Sequence, residues 1–321
     1  MPRDDRSVLV TWMGFEPDGA STGARLRAAG LRLVLAPKDG ERAAADVARL
    51  VAGSVAAIVS TDPFDGTVFR AAPGLRVVAR VGVGTDSIDL AAATAAGVVV
   101  TTTPGANRET AADHALAMIL AALRRVVEHD ASVRRGEWRR GGDLTPWDLH
   151  GTTVGLVGYG EIGQAVGRRV AGFGASVLAC DPALADGVPL TTLLERADVV
   201  SLHLPLSVAT RNLIGAAELA RMPQHAVLVN ASRGGLVDEL ALVEALRTGA
   251  IRAAALDVFA GEPHLTPGLA DLPNVVLTPH IGGLSERSIA LMTERATDQV
   301  LAVLAGRPDR DCVANPEVLA S

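Results

Sequence analysis

The chain has 321 residues, 49% of them hydrophobic but only 3% aromatic, with 30 basic against 36 acidic side chains and a net charge of −6. That length exceeds one ordinary core and fits two domains of roughly 150 residues each, built mainly from Val, Leu, Ala and Ile. The acidic balance argues against a nucleic-acid partner, and two cysteines, Cys180 and Cys312, give neither metal spacing nor a disulfide framework. No apolar stretch reaches the ~18 residues of a membrane span. Met1-Pro2-Arg3-Asp4-Asp5-Arg6 turns directly into a strand, with no apolar signal region. A soluble, cytoplasmic protein without a metal or a membrane partner is therefore expected.

Short, branched-rich runs at 8–12, 31–35, 55–60, 76–80 and 98–101 suit buried parallel strands. Amphipathic stretches such as 41–52 and 90–96 separate them, and this βαβαβ order implies a doubly wound sheet. Thr103-Pro104-Gly105 breaks the rhythm. One long helix is expected over 107–127. Its Ala111, Ala115, Leu116, Met118, Ile119 and Ala122 spread apolar surface over more than one face, more than one-sided packing needs, which predicts a homodimer. A basic patch follows, Arg134, Arg135, Arg139 and Arg140 around Trp138, and then a loop marked by Gly141-Gly142 and Pro146. Strands resume at 153–157, 176–180, 199–202, 227–230, 253–256 and 275–277. A final helix over 285–304 is long enough to carry the chain back to its first domain.

The strand at 153–157 runs directly into Gly158-Tyr159-Gly160-Glu161-Ile162-Gly163, and a helix continues from Gln164. In that context Gly158 permits a tight turn, Gly160 lets a pyrophosphate approach the backbone, and Gly163 lets helix pack on strand. The Glu161 and Ile162 amides at the helix N-terminus face phosphate. Asp181 ends the next strand, near the expected spacing of about 20 residues, where its carboxylate accepts ribose hydroxyls and repels a 2′-phosphate. NAD is thus expected over NADP.

Three runs each follow a strand: Asn230-Ala231-Ser232-Arg233-Gly234-Gly235, Leu256-Asp257-Val258-Phe259-Ala260-Gly261-Glu262-Pro263, and Thr278-Pro279-His280-Ile281-Gly282-Gly283. Carboxyl ends of strands are where open α/β sheets bind ligands. Any one of these residues alone reads as an ordinary loop side chain; a guanidinium, a carboxylate and an imidazole at three strand ends imply hydride-transfer chemistry. His280 would give or take a hydroxyl proton, Glu262 would hold the imidazole and favour its charged form, and Arg233 would clamp a substrate carboxylate and polarise the neighbouring carbonyl.

With these motifs, from Val77-Val78-Ala79-Arg80-Val81-Gly82-Val83-Gly84-Thr85-Asp86 to Thr278-Pro279-His280, the chain resembles the D-isomer-specific 2-hydroxyacid dehydrogenases, most closely their short phosphoglycerate-dehydrogenase-like branch. The resemblance covers essentially the whole chain. It implies two doubly wound parallel-sheet α/β domains: a flavodoxin-like substrate domain (1–104 and 285–321) split around a Rossmann NAD-binding domain (105–284). It also implies that Asp257 and the Ala231 carbonyl hold the nicotinamide carboxamide. His203-Leu204-Pro205 and Thr210 would line the adenosine side and phosphates, Thr110 and Gly283 would approach the cofactor, and the Val83 and Gly84 amides would meet the substrate carboxylate. Ser87-Ile88-Asp89, Ala112-Asp113 and the loop Gly142-Asp143-Leu144-Thr145-Pro146-Trp147 depart from the family's usual pattern, and none touches the triad.

Arg80 matches a position where phosphoglycerate dehydrogenases contact the substrate phosphate, and Arg140 one that reaches a neighbouring subunit's site. The plain readings are an Arg80 that closes a strand and pairs with a nearby acid, and an Arg140 on a solvated basic face. With the resemblance, 3-phosphoglycerate is the leading substrate, though an anionic tail read by these arginines could equally be a phosphonate or a second carboxylate. A glyoxylate/hydroxypyruvate or specialised-pathway 2-ketoacid reductase is the alternative. Formate oxidation is disfavoured by Pro279, where that branch carries glutamine. An NAD(H)-sensing interaction protein, like the corepressors built on this fold, is a reading of another class, disfavoured because the long disordered tails of those proteins are not expected here. No added regulatory domain is expected beyond the last helix, so serine feedback of the long-form kind is not expected.

Overall fold

The computed structural model describes residues 6–320; the reading of Met1-Pro2-Arg3-Asp4-Asp5 lies outside them. The chain divides into two compact units, Met1–Asn107 with Ser285–Ser321, and Arg108–Leu284. In the first, strands β1 (Ser7–Val10), β2 (Arg32–Leu35), β3 (Ser54–Val59), β4 (Val77–Arg80) and β5 (Val99–Thr101) form one sheet in the order β2-β1-β3-β4-β5. In the second, β6 (Thr153–Val157), β7 (Ser176–Cys180), β8 (Val199–Leu202), β9 (Val227–Asn230), β10 (Ala253–Leu256) and β11 (Val275–Leu277) follow the order β11-β10-β9-β8-β6-β7. Every pairing between these strands is parallel.

Both orders reverse once, at β1 between β2 and β3 and at β6 between β7 and β8. The carboxyl ends beside such a reversal open a crevice. Helices cover both faces of each sheet, which is why the central strands β3, β8, β9 and β10 are apolar almost throughout rather than alternating. In the first unit one core layer gathers Val8, Ile58, Val77 and Ala79 with Met292, Ala296, Val300 and Val303 of the Glu286–Leu304 helix. That helix starts at a Ser285 cap whose hydroxyl accepts the Ser288 amide. The opposite layer packs Leu9, Val59 and Val78 under Val47, Val51, Val68 and Phe69.

The helix expected over 107–127 is two helices, Arg108–Arg124 and Val126–Arg134. Arg125 separates them in the left-handed region at φ 53°, where the incoming loop donates the Trp147 amide to the Leu123 carbonyl at 2.9 Å. Its apolar spread also has another cause than the one expected. Ala111, Ala115, Met118, Ile119 and Ala122 are buried within the chain, and Leu116 packs against the same core layer. They meet β9–β11 and the Glu161–Gly172 helix. Exposed apolar surface lies just beyond instead, on Val126, Val127, Val133 and Trp138.

Candidate active site

In the second unit the glycine loop joins β6 to the Glu161–Gly172 helix. Gly158 takes φ 88°, and a Cβ there would lie 2.4 Å from the His203 carbonyl oxygen, where the ends of β6 and β8 meet. A Cβ at Gly163 would lie 2.4 Å from the Gly158 carbonyl oxygen, so the helix seats on its own loop only with glycine. Gly160 is different: a Cβ there meets open space. Internal packing does not require that glycine, whereas a close-approaching ligand would. Glu161 begins the helix with its side chain in solvent, and Ile162 packs against the core.

Asp181 directly follows the last residue of β7. Its carboxylate accepts the Tyr159 amide at 2.7 Å and the Ala183 amide at 2.9 Å, and these bonds hold its pKa below the ordinary aspartate value. The acid is thus fixed to the glycine loop. At the end of β8, His203 Nε2 lies 2.9 Å from the Ser201 hydroxyl, and burial lowers its pKa to about 4, which keeps the ring neutral. Leu204 offers its carbonyl to the Ser232 hydroxyl at 2.7 Å, which ties the β8 loop to the β9 loop. The Thr210 hydroxyl donates to the Pro205 carbonyl and accepts the Ser207 amide, closing that turn. Thr110 lies half-buried in the first turn of the Arg108–Arg124 helix.

Arg233, Glu262 and His280 stand on the loops after β9, β10 and β11, three neighbouring strands. Glu262 Oε2 meets His280 Nδ1 at 2.7 Å, while its Oε1 accepts the Phe259 amide at 2.9 Å. Burial would raise the Glu262 pKa; the imidazole beside it, the Phe259 amide and the charge of Arg233 outweigh that and hold it below the ordinary value. With Glu262 ionised, Nδ1 carries the proton and Nε2 is left for other chemistry. Arg233 donates to the Ser232 carbonyl at 2.7 Å. A pocket of about 360 Å³ opens beside the pair, between Phe259, Pro263, Leu265 and Leu277.

Asp257 is only 1% exposed and serves the turn that carries His280. It accepts the Thr278 hydroxyl at 2.6 Å and the Ile281 and Gly282 amides at 2.9 and 2.7 Å, and His114 Nε2 lies 3.3 Å away. Desolvation opposes its charge, but these four partners together leave the pKa below the ordinary value. The turn matters because His280 sits at φ 55°, a strained conformation for a residue with a side chain. The His280 amide is pinned to the Asp257 carbonyl at 2.8 Å. Gly283 follows in the same turn, and Ala231 is half-buried before Arg233.

Sequence reasoning gave no role to His114, Thr278 or Glu239. His114 reads as one helical histidine among apolar neighbours, and Glu239 as a first-turn acid that suits a helix dipole. Only the four-residue step from His114 to the buried Met118 hinted that His114 faces inward. Among the described residues no group of three or more His, Cys, Asp or Glu could hold a metal ion, and no helix is long and apolar enough to cross a membrane.

In the first unit, Arg80 ends β4 and folds back so that its guanidinium meets the Val81 carbonyl. Gly82, at φ 129°, makes the room; a Cβ there would collide with Arg80 Nη1. The Gly82 amide donates to the Thr103 hydroxyl at 3.0 Å, which fixes the turn, and Val83 follows with 41% of its surface exposed before Gly84. Arg140 lies exposed beyond Trp138.

Residues 116–282 match the family model described as the D-isomer specific 2-hydroxyacid dehydrogenase, NAD binding domain. The chain is 44% identical over 263 residues to the D-3-phosphoglycerate dehydrogenase of Mycobacterium leprae, a match covering 79% of this chain and 50% of that protein. It therefore spans about half the length of that relative. It is also 44% identical over 273 residues to the glyoxylate reductase of Korarchaeum cryptofilum, covering 81% of this chain and 82% of that one. Among solved structures, the TT0316 protein from Thermus thermophilus superposes with a TM-score of 0.87 at 42% identity, covering 96% of this chain and 99% of that one. With two parallel α/β sheets, a glycine loop at the β6 end and matches that run through both units, the chain belongs to the D-isomer-specific 2-hydroxyacid dehydrogenase family and carries its NAD-binding domain.

Proposed function

We propose that the protein interconverts a D-2-hydroxyacid and its 2-ketoacid with NAD, and that Arg233, Glu262 and His280 carry the chemistry. The observation that carries this reading is the 2.7 Å contact between Glu262 Oε2 and His280 Nδ1 on loops adjoining the Arg233 loop. NADH, when bound, would supply the hydride for C2. His280, oriented through Nδ1, gives a proton from Nε2 to the carbonyl oxygen in reduction and takes it back in oxidation. Arg233 pairs with the substrate carboxylate and draws charge from the carbonyl. Gly158, Gly160, Gly163 and the Glu161 and Ile162 amides receive the pyrophosphate, and Asp181 the adenosine ribose. His203, Leu204, Pro205, Thr210, Thr110, Ala231, Asp257 and Gly283 complete the cofactor contacts. Arg80 and the Val83 and Gly84 amides bind substrate.

The leading substrate is 3-phosphoglycerate, supported by Arg80 and by the phosphoglycerate dehydrogenase relative. Glyoxylate or hydroxypyruvate reduction is the second reading, supported by the glyoxylate reductase of Korarchaeum cryptofilum at the same identity. A homodimer is part of the proposal. It rests on exposed Val126, Val127, Val133 and Trp138, side chains a monomer leaves in water, and it would bring Arg140 to the partner's substrate.

Turnover of phosphohydroxypyruvate, hydroxypyruvate and glyoxylate with NADH tests the whole reading. The phosphorylated ketoacid should give the highest kcat/KM, and His280→Ala should lower kcat on the order of 10²–10⁴ while NADH still binds. No turnover of any 2-ketoacid, or a His280→Ala variant with wild-type kcat, would overturn it.

A further inference from the structure

We infer that Glu239 is a positioning residue for the Glu262–His280 pair, an inference that rests on the catalytic reading above. Glu239 opens the Glu239–Thr248 helix directly after its Asp238 cap and is 5% exposed. One carboxylate oxygen accepts the Ala260 amide at 2.6 Å. The other accepts the Thr266 hydroxyl. Ala260 precedes Glu262 and Thr266 follows it, so one buried carboxylate ties both ends of the segment that presents Glu262.

Within that segment the His264 amide donates to the Gly261 carbonyl at 2.8 Å, and the Phe259 amide to Glu262 Oε1 at 2.9 Å. The same helix grows out of the Arg233 loop through the short turn Gly234–Leu236. Gly234 lies so close that a Cβ there would come within 1.9 Å of the Phe259 carbonyl carbon. Arg233, Glu239 and the Glu262 segment are therefore one packed unit.

A buried carboxylate is a costly way to fill space, since apolar residues of similar volume at such sites are often neutral or stabilising. The helix N-terminus and two donors offset the desolvation here. What the carboxylate adds is a pair of directional acceptors aimed at the two ends of one segment. Without them the segment gains freedom, Glu262 spends less time against Nδ1, and the imidazole loses both its orientation and the charge that favours its protonated form. Among the described residues, the charge of Arg233 from the β9 loop acts on Glu262, Asp257 lies beneath the His280 turn, and His114 lies 3.3 Å from Asp257.

The test compares Glu239→Ala, Glu239→Gln, Thr266→Val, Glu262→Gln and the Glu239→Ala/Glu262→Gln double variant. Each is read for kcat, KM, NADH Kd by fluorescence titration, and the pH dependence of kcat/KM in ketoacid reduction. Glu239→Ala should lower kcat about 10- to 100-fold, leave NADH Kd within about two-fold, and move the basic limb of the profile to lower pH. Glu239→Gln keeps an acceptor for Ala260 and should recover most of kcat. Thr266→Val should move the limb the same way by less. In the Glu262→Gln background Glu239→Ala should add little, because both act through one contact. An unmoved limb in Glu239→Ala or Thr266→Val, losses that multiply in the double variant, or NADH binding lost together with kcat would each overturn the inference. Failure of the catalytic reading looks different, since Glu262→Gln itself would then leave activity and pH profile unchanged.

Discussion

Asp181 holds the glycine loop and, in the proposed reading, the ribose with one carboxylate. Its bonds to the Tyr159 and Ala183 amides keep it ionised and leave lone pairs for hydroxyls, while its charge opposes a 2′-phosphate. Asp181→Ala should weaken NAD and relax discrimination against NADP, read as kcat/KM with each cofactor; a wild-type preference for NADPH would sink the assignment. His203 makes a separate prediction. Burial lowers its pKa from the ordinary 6.5 to about 4, so the unfolded chain binds the extra proton across that interval. Its contribution to stability is full above pH 6.5 and is lost as pH falls toward 4. The depressed carboxylates of Glu262 and Asp257 lose theirs only at lower pH, as protons reach them below their ordinary values of 4.5 and 3.8. Urea midpoints should therefore begin to decline in the mildly acidic range, and His203→Gln should flatten that first decline. A wild-type curve level down to pH 4.5 would contradict the neutral imidazole.

At the scale of elements, the contact between the glycine loop and the helix it begins is the most exacting. Gly163→Ala would force its Cβ against the Gly158 carbonyl, backbone with little room to yield. Overpacking of this kind costs about 1–3 kcal/mol, so the variant should melt lower and bind NADH more weakly; Gly160→Ala, facing open space, should keep its melting temperature and lose only NADH affinity. A Gly163→Ala variant as stable as wild type would show that the helix can shift. The strands of the second sheet were legible to the residue because each is a short run rich in β-branched residues, leucine or alanine that begins or ends beside a polar residue or glycine. The break at Arg125 was not, since both flanking stretches favour helix and the loop that stops it arrives from Trp147.

For the whole molecule, the proposed dimer rests on apolar side chains that lie exposed beyond the Arg108–Arg124 helix. Trp138 is 79% exposed and Val133 56%; under the proposed interface wild type should scatter light as a dimer, and replacing both with Asp should give a monomer. Arg140→Ala should raise KM for a phosphorylated ketoacid more than for glyoxylate. A wild-type monomer at micromolar concentration with full activity would refute the interface. The sequence by itself determined the strand sequence, the glycine loop, and the Arg233, Glu262 and His280 loops, because local pattern and turn chemistry act over a few residues. Parallel pairing then places the three loops on neighbouring strands, β9, β10 and β11. What only the tertiary structure decided is how those side chains are held. Glu239 reaches Ala260 and Thr266, Asp257 reaches Ile281 and Gly282, and the Arg108–Arg124 helix buries the face that seemed unpartnered. Those contacts join segments far apart in the chain, and burial there depends on which strand becomes whose neighbour, which no local window of sequence contains.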